Sequence, residues 1–263
     1  TASGALRMGV SEMTRFGFGQ AEFTELAGLM EAPMRLEDQD GDHLTLIQQE
    51  PLMAVAGIAA RKKDGETVSG DAGTYFKRGD GTLYVLLCDG MGSGPQANRE
   101  SSLALRLLEQ FLQAGVETEH ALVTLNSALA LRGEEAGGFT TVDLLQVDLF
   151  TGDGVVFKLG AAPTYVRKGG TVRRISGASL PAGLAAEERS APDRFPIHLS
   201  PGDCVLLVSD GVTGTEDDSW LRERLVKFDQ GSPKELARDL ITHSPQGATD
   251  DSTALVIRLE KRE

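Results

Sequence analysis

LLCDGMGSG, Leu86 to Gly94, is the stretch on which the reading of this chain turns. An apolar run closes on Cys88, Asp89 follows, and a glycine-rich turn leads through Pro95 into a helix-like segment. Either the glycines cradle a nucleotide phosphate at a helix N-terminus, or Asp89 is the chemistry and the glycines give it room. Gly92–Ala97 does fit the G-x-G-x-x-A pattern of a dinucleotide loop. That fold also needs a crossover to a second parallel strand ending in an acidic residue. Here the stripe Ala97–Ala114, closed by Gly115, is followed by a second helical stripe over Glu119–Leu131. No strand is expected before Thr140. The glycines are not followed by Lys, so a Walker loop fails as well.

The second reading gains from a recurrence. The strand-like run before Asp89-Gly90 is echoed by VLLVS before Asp210-Gly211. Asp71 lies in VSGD ahead of the Leu83 strand, and Asp250-Asp251 directly precede the last strand. A carboxylate at the end of a buried strand is costly unless something pairs with it. Mg²⁺ and Mn²⁺ take oxygen ligands, carboxylates and waters, so neighbouring strand ends that gather these aspartates would hold such ions. An isolated Asp-Gly is usually a turn, as expected at Asp64-Gly65, Asp80-Gly81 and Asp153-Gly154. Thr140-Thr141 is expected to begin a strand. His43, His120, His198 and His243 have no zinc spacing, and no Ser sits in a G-x-S-x-G elbow.

Composition narrows the classes further. The 263 residues carry a formal charge of −13 and are 40% hydrophobic. Such a charge repels nucleic-acid phosphate and argues against that partner. No apolar run approaches the length of a membrane span. Two cysteines, Cys88 and Cys204, sit inside apolar runs and read as small packed hydrophobes in a cytoplasmic setting. The chain starts at Thr1 without a leader, which suggests a piece of something longer, compatible with a membrane region upstream.

Strands are expected at Leu44–Gln48, Met53–Ala60, Leu83–Cys88, Thr140–Leu149, Gly154–Leu159, Thr164–Arg167, Val172–Ile175, Phe195–Leu199, Cys204–Val208 and Ser252–Leu259. Hairpin turns are expected at RKKDGE, Thr151–Gly154 and Lys168–Gly170. Two later helices fit Asp218–Phe228 and Pro233–His243, the second with Ser232 at its N-cap. The pattern is α+β. Residues 1–42, with loose helical spacing at Phe23, Leu26, Leu29 and Met30 and an acidic turn EDQDGD, read as a regulatory or packing segment. Residues 43–263 form the patterned domain.

SGD (69–71), CDGMGSG (88–94), FTTVDL (139–144), LGAAPTYVRKGG (159–170), SLPAGL (179–184), GDCVLLVSDG (202–211) and DDSTALVIRL (250–259) occur in this order. Together they resemble the metal-dependent, type 2C-like serine/threonine protein phosphatases, and within them the phosphatase domain of the stage II sporulation protein E branch. The resemblance implies an α-β-β-α sandwich of two mainly antiparallel sheets with helices on both outer faces. It also implies two Mn²⁺ or Mg²⁺ ions at one edge. By position, Asp89 resembles the carboxylate bridging the ions and Gly90 the carbonyl ligand. Asp71 resembles the ligand of the second ion, and Asp210 and Asp250 those of the first. Asp89 and Asp210 are the residues on which catalysis would rest. Asp251, where many relatives have Asn, is a candidate ligand of a third, weaker ion. The implied reaction is hydrolysis of phosphoserine or phosphothreonine on a protein, of the anti-sigma-factor antagonist type. A homodimer is compatible with the chain.

Met91 departs from the wider family, which has a His there, and leaves the general acid unassigned. The Arg by which eukaryotic relatives hold phosphate is missing from KDGETVSGD; Arg61, Lys62 and Lys63 lie farther off in sequence. A general stress-signalling phosphatase of the same fold, or a non-catalytic signalling module, stays open as an alternative at this point.

Overall fold

Apolar strands such as Leu83–Cys88 and Cys204–Val208 need cover on both faces, and the fold supplies it. The computed structural model describes residues 20, 21, 24, 34–39, 43–131, 138–184, 191–214, 217–228 and 231–262. The chain divides into two compact units, Thr1–Pro51 and Leu52–Glu263. In the first, β1 (Met34–Gln39) pairs antiparallel with β2 (His43–Gln48). The strand over 43–48 therefore belongs to this hairpin, and the boundary falls at Pro51 and not at residue 42. Part of EDQDGD lies in β1, not in a turn. The helical spacing over Phe23–Met30 lies outside the described residues, apart from helical backbone at Thr24.

The second unit opens with β3 (Leu52–Arg61), β4 (Asp71–Lys77) and β5 (Thr82–Gly90). Helices α1 (Gly94–Gln113) and α2 (Thr118–Ala130) follow. Next come β6 (Thr140–Asp148), β7 (Asp153–Leu159), β8 (Thr164–Lys168), β9 (Thr171–Ile175), β10 (Asp193–His198) and β11 (Cys204–Val208). Helices α3 (Asp210–Thr213), α4 (Ser219–Lys227) and α5 (Pro233–Thr242) lead to β12 (Ser252–Lys261). One sheet has the order β10-β7-β6-β5-β4 and the other β3-β12-β11-β8-β9, with antiparallel neighbours throughout.

Period-two alternation assigns the layers. Leu83, Val85 and Leu87 meet Val205, Leu207, Leu255 and Ile257 between the sheets. From the other face of β5, Tyr84, Leu86 and Cys88 pack with Leu108 and Leu112 of α1 and Leu122 and Leu125 of α2. Cys204, Leu206 and Val208 of β11 pack with Leu221 and Leu225 of α4 and Leu236 and Leu240 of α5. This is the α-β-β-α sandwich, and both cysteines are free and buried within it. Within the intersheet layer Lys158 and Asp143 form a fully buried pair, Nζ to Oδ2 2.8 Å. Lys158 Nζ also donates to Thr164 Oγ1 at 2.8 Å, which joins β7 of one sheet to β8 of the other. A buried pair made and shared in this way fixes how the sheets sit on each other, since removing either partner strands the other charge.

The turn at Lys168–Gly170 is a hairpin as expected, joining β8 to β9. The hairpin joining β6 to β7 turns earlier than expected, at residues 149–152, and Asp153-Gly154 is already paired strand in β7. RKKDGE is not one: β3 and β4 lie in different sheets, and the segment crosses between them. Among the described residues no helix is long and apolar enough to cross a membrane.

Candidate metal centre

The central pairing is β4 on β5. Their register sets Asp71 directly opposite Asp89, with Ala72 opposite Cys88 and Gly73 opposite Leu87. Two carboxylates are thus held side by side by backbone hydrogen bonds. The other sheet contributes Asp210, first residue of α3 just beyond β11, and Asp250, just ahead of β12. Asp89, Gly90, Asp210 and Asp250 line a cleft of about 380 Å³ with Lys63, Met91, Gly92, Phe139 and Thr141.

Asp71 is 8% exposed, and both of its carboxylate oxygens are buried without a hydrogen-bond partner. Burial is the main cause that raises its pKa to about 6, with Asp251 and Asp210 adding repulsion and the nearby Thr253 and Ser209 hydroxyls offsetting part of it. Asp89 is pushed up to about 9, first by burial, then by Asp71 and Asp210. Burial and then Asp250 raise Asp210. A folded chain that concentrates acidic groups against their own repulsion has stored a demand for positive charge.

Whether divalent cations fit can be judged from the donors. Among the described residues no three acidic, His or Cys side chains converge on one point, as a closed cage would require. Mg²⁺ and Mn²⁺ do not need such a cage: Mg²⁺ in particular keeps several waters and is held by one or two carboxylates. Asp89, Asp210 and Asp250 line the open cleft and Asp71 lies buried behind Asp89, an all-oxygen set that suits that requirement. The orphaned oxygens of Asp71 are the clearest sign that a partner belongs there.

The glycines of the two Asp-Gly pairs have packing reasons beyond approach to an ion. A Cβ on Gly90 would lie 2.1 Å from the carbonyl oxygen of Ala97, because the first turn of α1 sits directly on this backbone. A Cβ on Gly211 would lie 1.9 Å from the carbonyl oxygen of Asp251, so glycine brings the 250–251 segment against Asp210. The Gly211 carbonyl is already used by the hydroxyls of Ser244 and Ser252, at 2.7 and 3.1 Å. Gly90→Ala is expected to displace α1 or the end of β5, at a cost of about 3 kcal/mol. The melting temperature should then drop by roughly 6–12 °C. Thermal melts beside activity assays check this, and an unchanged melt would mean that α1 yields freely.

Asp251 does not join the cleft. It is 3% exposed and its oxygens accept backbone N–H bonds from Lys63 and Gly70, so the structure gives it another task than third-ion ligand. Thr140 begins β6 as expected, and its hydroxyl also donates to the Asp89 carbonyl at 2.8 Å. Met91 is exposed at the rim and cannot pass a proton. Lys63, placed too far away by its sequence distance from Asp71, lines the cleft; no motif marks it.

Fold and acidic cleft together define a PP2C-type protein phosphatase domain. The stage II sporulation protein E (SpoIIE) family model matches residues 79–260, and the chain belongs to that family. It is 30% identical over 213 residues to stage II sporulation protein E of Priestia megaterium, and 29% identical over 214 residues to that of Bacillus subtilis strain 168. Each match covers 78% of this chain, but only 36% and 25% of the two relatives. The solved PP2C phosphatase domain of SpoIIE from Bacillus subtilis with a fragment of its regulatory domain superimposes with a TM-score of 0.77 at 25% identity. That match covers 94% of this chain and 77% of the other. RsbX, solved in complex with magnesium, shares the fold with a TM-score of 0.64 at 18% identity, covering 87% of this chain and 100% of its own.

Proposed function

We propose that this domain hydrolyses phosphoserine or phosphothreonine on a protein, and that the substrate is a phosphorylated anti-sigma-factor antagonist. The observation that carries the reading is the opposed Asp71–Asp89 pair, with its buried unpartnered oxygens, beside Asp210 and Asp250. The magnesium named with RsbX and the sporulation relatives support the divalent ion and the setting. Asp71, Asp89 and the Gly90 carbonyl would hold one Mn²⁺ or Mg²⁺, with Asp89, Asp210 and Asp250 holding another. Bound there, two divalent cations lower the pKa of water and neutralise phosphoester oxygens.

The chain's own residues supply position. The β4–β5 register fixes Asp71 against Asp89, Thr140 holds the Asp89 backbone, and Gly211 admits Asp250 to Asp210. The open side of the cleft admits a phosphorylated side chain for in-line attack. Met91 offers no proton, so the leaving alkoxide takes one from solvent. Among the described residues that line the cleft there is no Ser or Cys, and Thr141 is the one hydroxyl, on a strand with no base paired to it in the lining; direct hydrolysis needs no phosphoenzyme.

Phosphate release from p-nitrophenyl phosphate and from a phosphoserine protein, with and without Mn²⁺, tests the proposal beside Asp210→Asn. Mn²⁺-dependent release that the variant loses is the expected result. Neither release nor Mn²⁺ binding by the intact chain would sink it.

A further inference from the structure

We propose that Asp251 is a positioning residue, and that Lys63 is the group it positions to receive the substrate's phosphoryl oxygens; this rests on the hydrolytic reading above. Asp251 is almost wholly buried and reaches back across the chain with both oxygens. Oδ1 accepts the Lys63 N–H at 2.9 Å and Oδ2 accepts the Gly70 N–H at 2.8 Å. One carboxylate therefore closes both ends of the segment that crosses between the sheets. Charge-assisted bonds of this kind are roughly twice as strong as neutral ones.

What the clamp holds is specific. Gly70 is followed at once by Asp71, so the second bond sets the start of β4 and the carboxylate opposite Asp89. A Cβ at Gly70 would lie 3.0 Å from Asp251 Oδ2 and 2.9 Å from Ala97 Cβ, so this approach leaves little room for a side chain. The first bond sets Lys63. Asn98 Nδ2 donating to the Ser69 carbonyl at 2.8 Å, and Ser93 Oγ donating to Glu66 Oε1 at 3.1 Å, tie the same segment to the start of α1.

Of the three consecutive cations, Arg61 donates to the Gly247 carbonyl and Lys62 to the Glu66 carbonyl. Lys63 alone faces the cleft, the one cation among the described residues that line it, with Asp89, Asp210 and Asp250 around it. Divalent ions there would spend much of their charge on these carboxylates. A phosphoester dianion then meets Lys63 as the protein's own positive group, and an ammonium binds phosphate as a point charge.

The test uses the full chain with Asp251→Ala, Asp251→Asn and Lys63→Met. It reads amide exchange at Lys63 and Gly70, binding of Mn²⁺, and binding of inorganic phosphate to the Mn²⁺-loaded protein. Asp251→Ala should speed exchange at both amides by about tenfold or more. It should also weaken both phosphate and Mn²⁺ binding by about tenfold. Asp251→Asn keeps one acceptor oxygen and should fall between. Lys63→Met should weaken phosphate by roughly 10–100-fold and raise KM more than it lowers kcat, with Mn²⁺ affinity and amide exchange unchanged. Phosphate binding untouched by Lys63→Met overturns the role of Lys63. Unchanged exchange in the Asp251 variants overturns the clamp, and Asp251→Asn decides it should the Ala variant not fold. Phosphate binding with the expected losses but no hydrolysis would leave this inference standing and sink the hydrolytic reading alone.

Discussion

Replacing Asp89 by Asn is expected to lower Mn²⁺-dependent turnover of p-nitrophenyl phosphate by about 10³-fold or more, about 4 kcal/mol of transition-state stabilisation. The same change should make the metal-free protein more stable. Both effects have one origin. Asp89 stands between Asp71 and Asp210, and burial with their repulsion holds its pKa near 9. Asn has the same shape, keeps the β4–β5 register, and brings neither charge nor bridging capacity. On the proposed reading the site would lose the ligand shared by its two halves, while the metal-free cluster loses a buried acidic group held against Asp71 and Asp210. A gain of about 2 kcal/mol would raise the melting temperature of the metal-free protein by roughly 4–8 °C. Turnover within about tenfold of wild type, or a variant that melts lower without metal, would take Asp89 out of this role.

The second large effect is the dependence of metal stabilisation on pH. Asp71 titrates near 3.8 when exposed and at about 6 in the fold, and a shift of that size is worth about 3 kcal/mol. The folded chain binds these protons more tightly than the unfolded one, so metal-free stability falls as pH rises. It is fullest where both states are protonated, and is lost as pH rises from about 4 through the Asp71 value near 6 and the Asp89 value near 9. Mn²⁺ held by Asp71 and Asp89, as proposed, would compete with those protons and answer the same repulsion. At about 100 times its Kd a bound ion adds about 2.7 kcal/mol. The melting difference between Mn²⁺ and EDTA should therefore be small near pH 5.5 and grow to roughly 5–10 °C near pH 8. Equal differences at both pH values would place the ion away from Asp71 and Asp89.

The sandwich was legible where both faces of a strand are covered. Continuous apolar runs mark Leu83–Cys88 and Cys204–Val208, and the stripes of α1, α2, α4 and α5 lie within a few residues of their expected ends. In α1 the deepest positions near its start, Ala97, Ser101 and Ala104, are small, and Ala97 rests directly on Gly90. What stayed hidden depends on register. DAGTYFK is an edge strand, half-exposed and opened by Asp71 and Gly73, so its alternation is too faint to announce β4. Without β4 nothing in the order of residues says that Asp71 faces Asp89. Helix α3 has 4 residues, too few for any periodicity. Asp250 and Asp251 are chemically identical neighbours. Only the crossing segment decides that one lines the cleft and the other turns to Lys63 and Gly70.

Asp71 and Asp89 come from one sheet, while Asp210 and Asp250 come from the other. The cleft is therefore a gauge of the gap between the leaves of the sandwich. Cations gripping both pairs would act as a clasp at this end, where elsewhere apolar side chains and the Lys158–Asp143–Thr164 bridge hold the leaves together. Ligand distances tolerate errors of only about 0.2 Å. A slip of one leaf along the other, too slight to expose any of the core, is enough to undo the clasp.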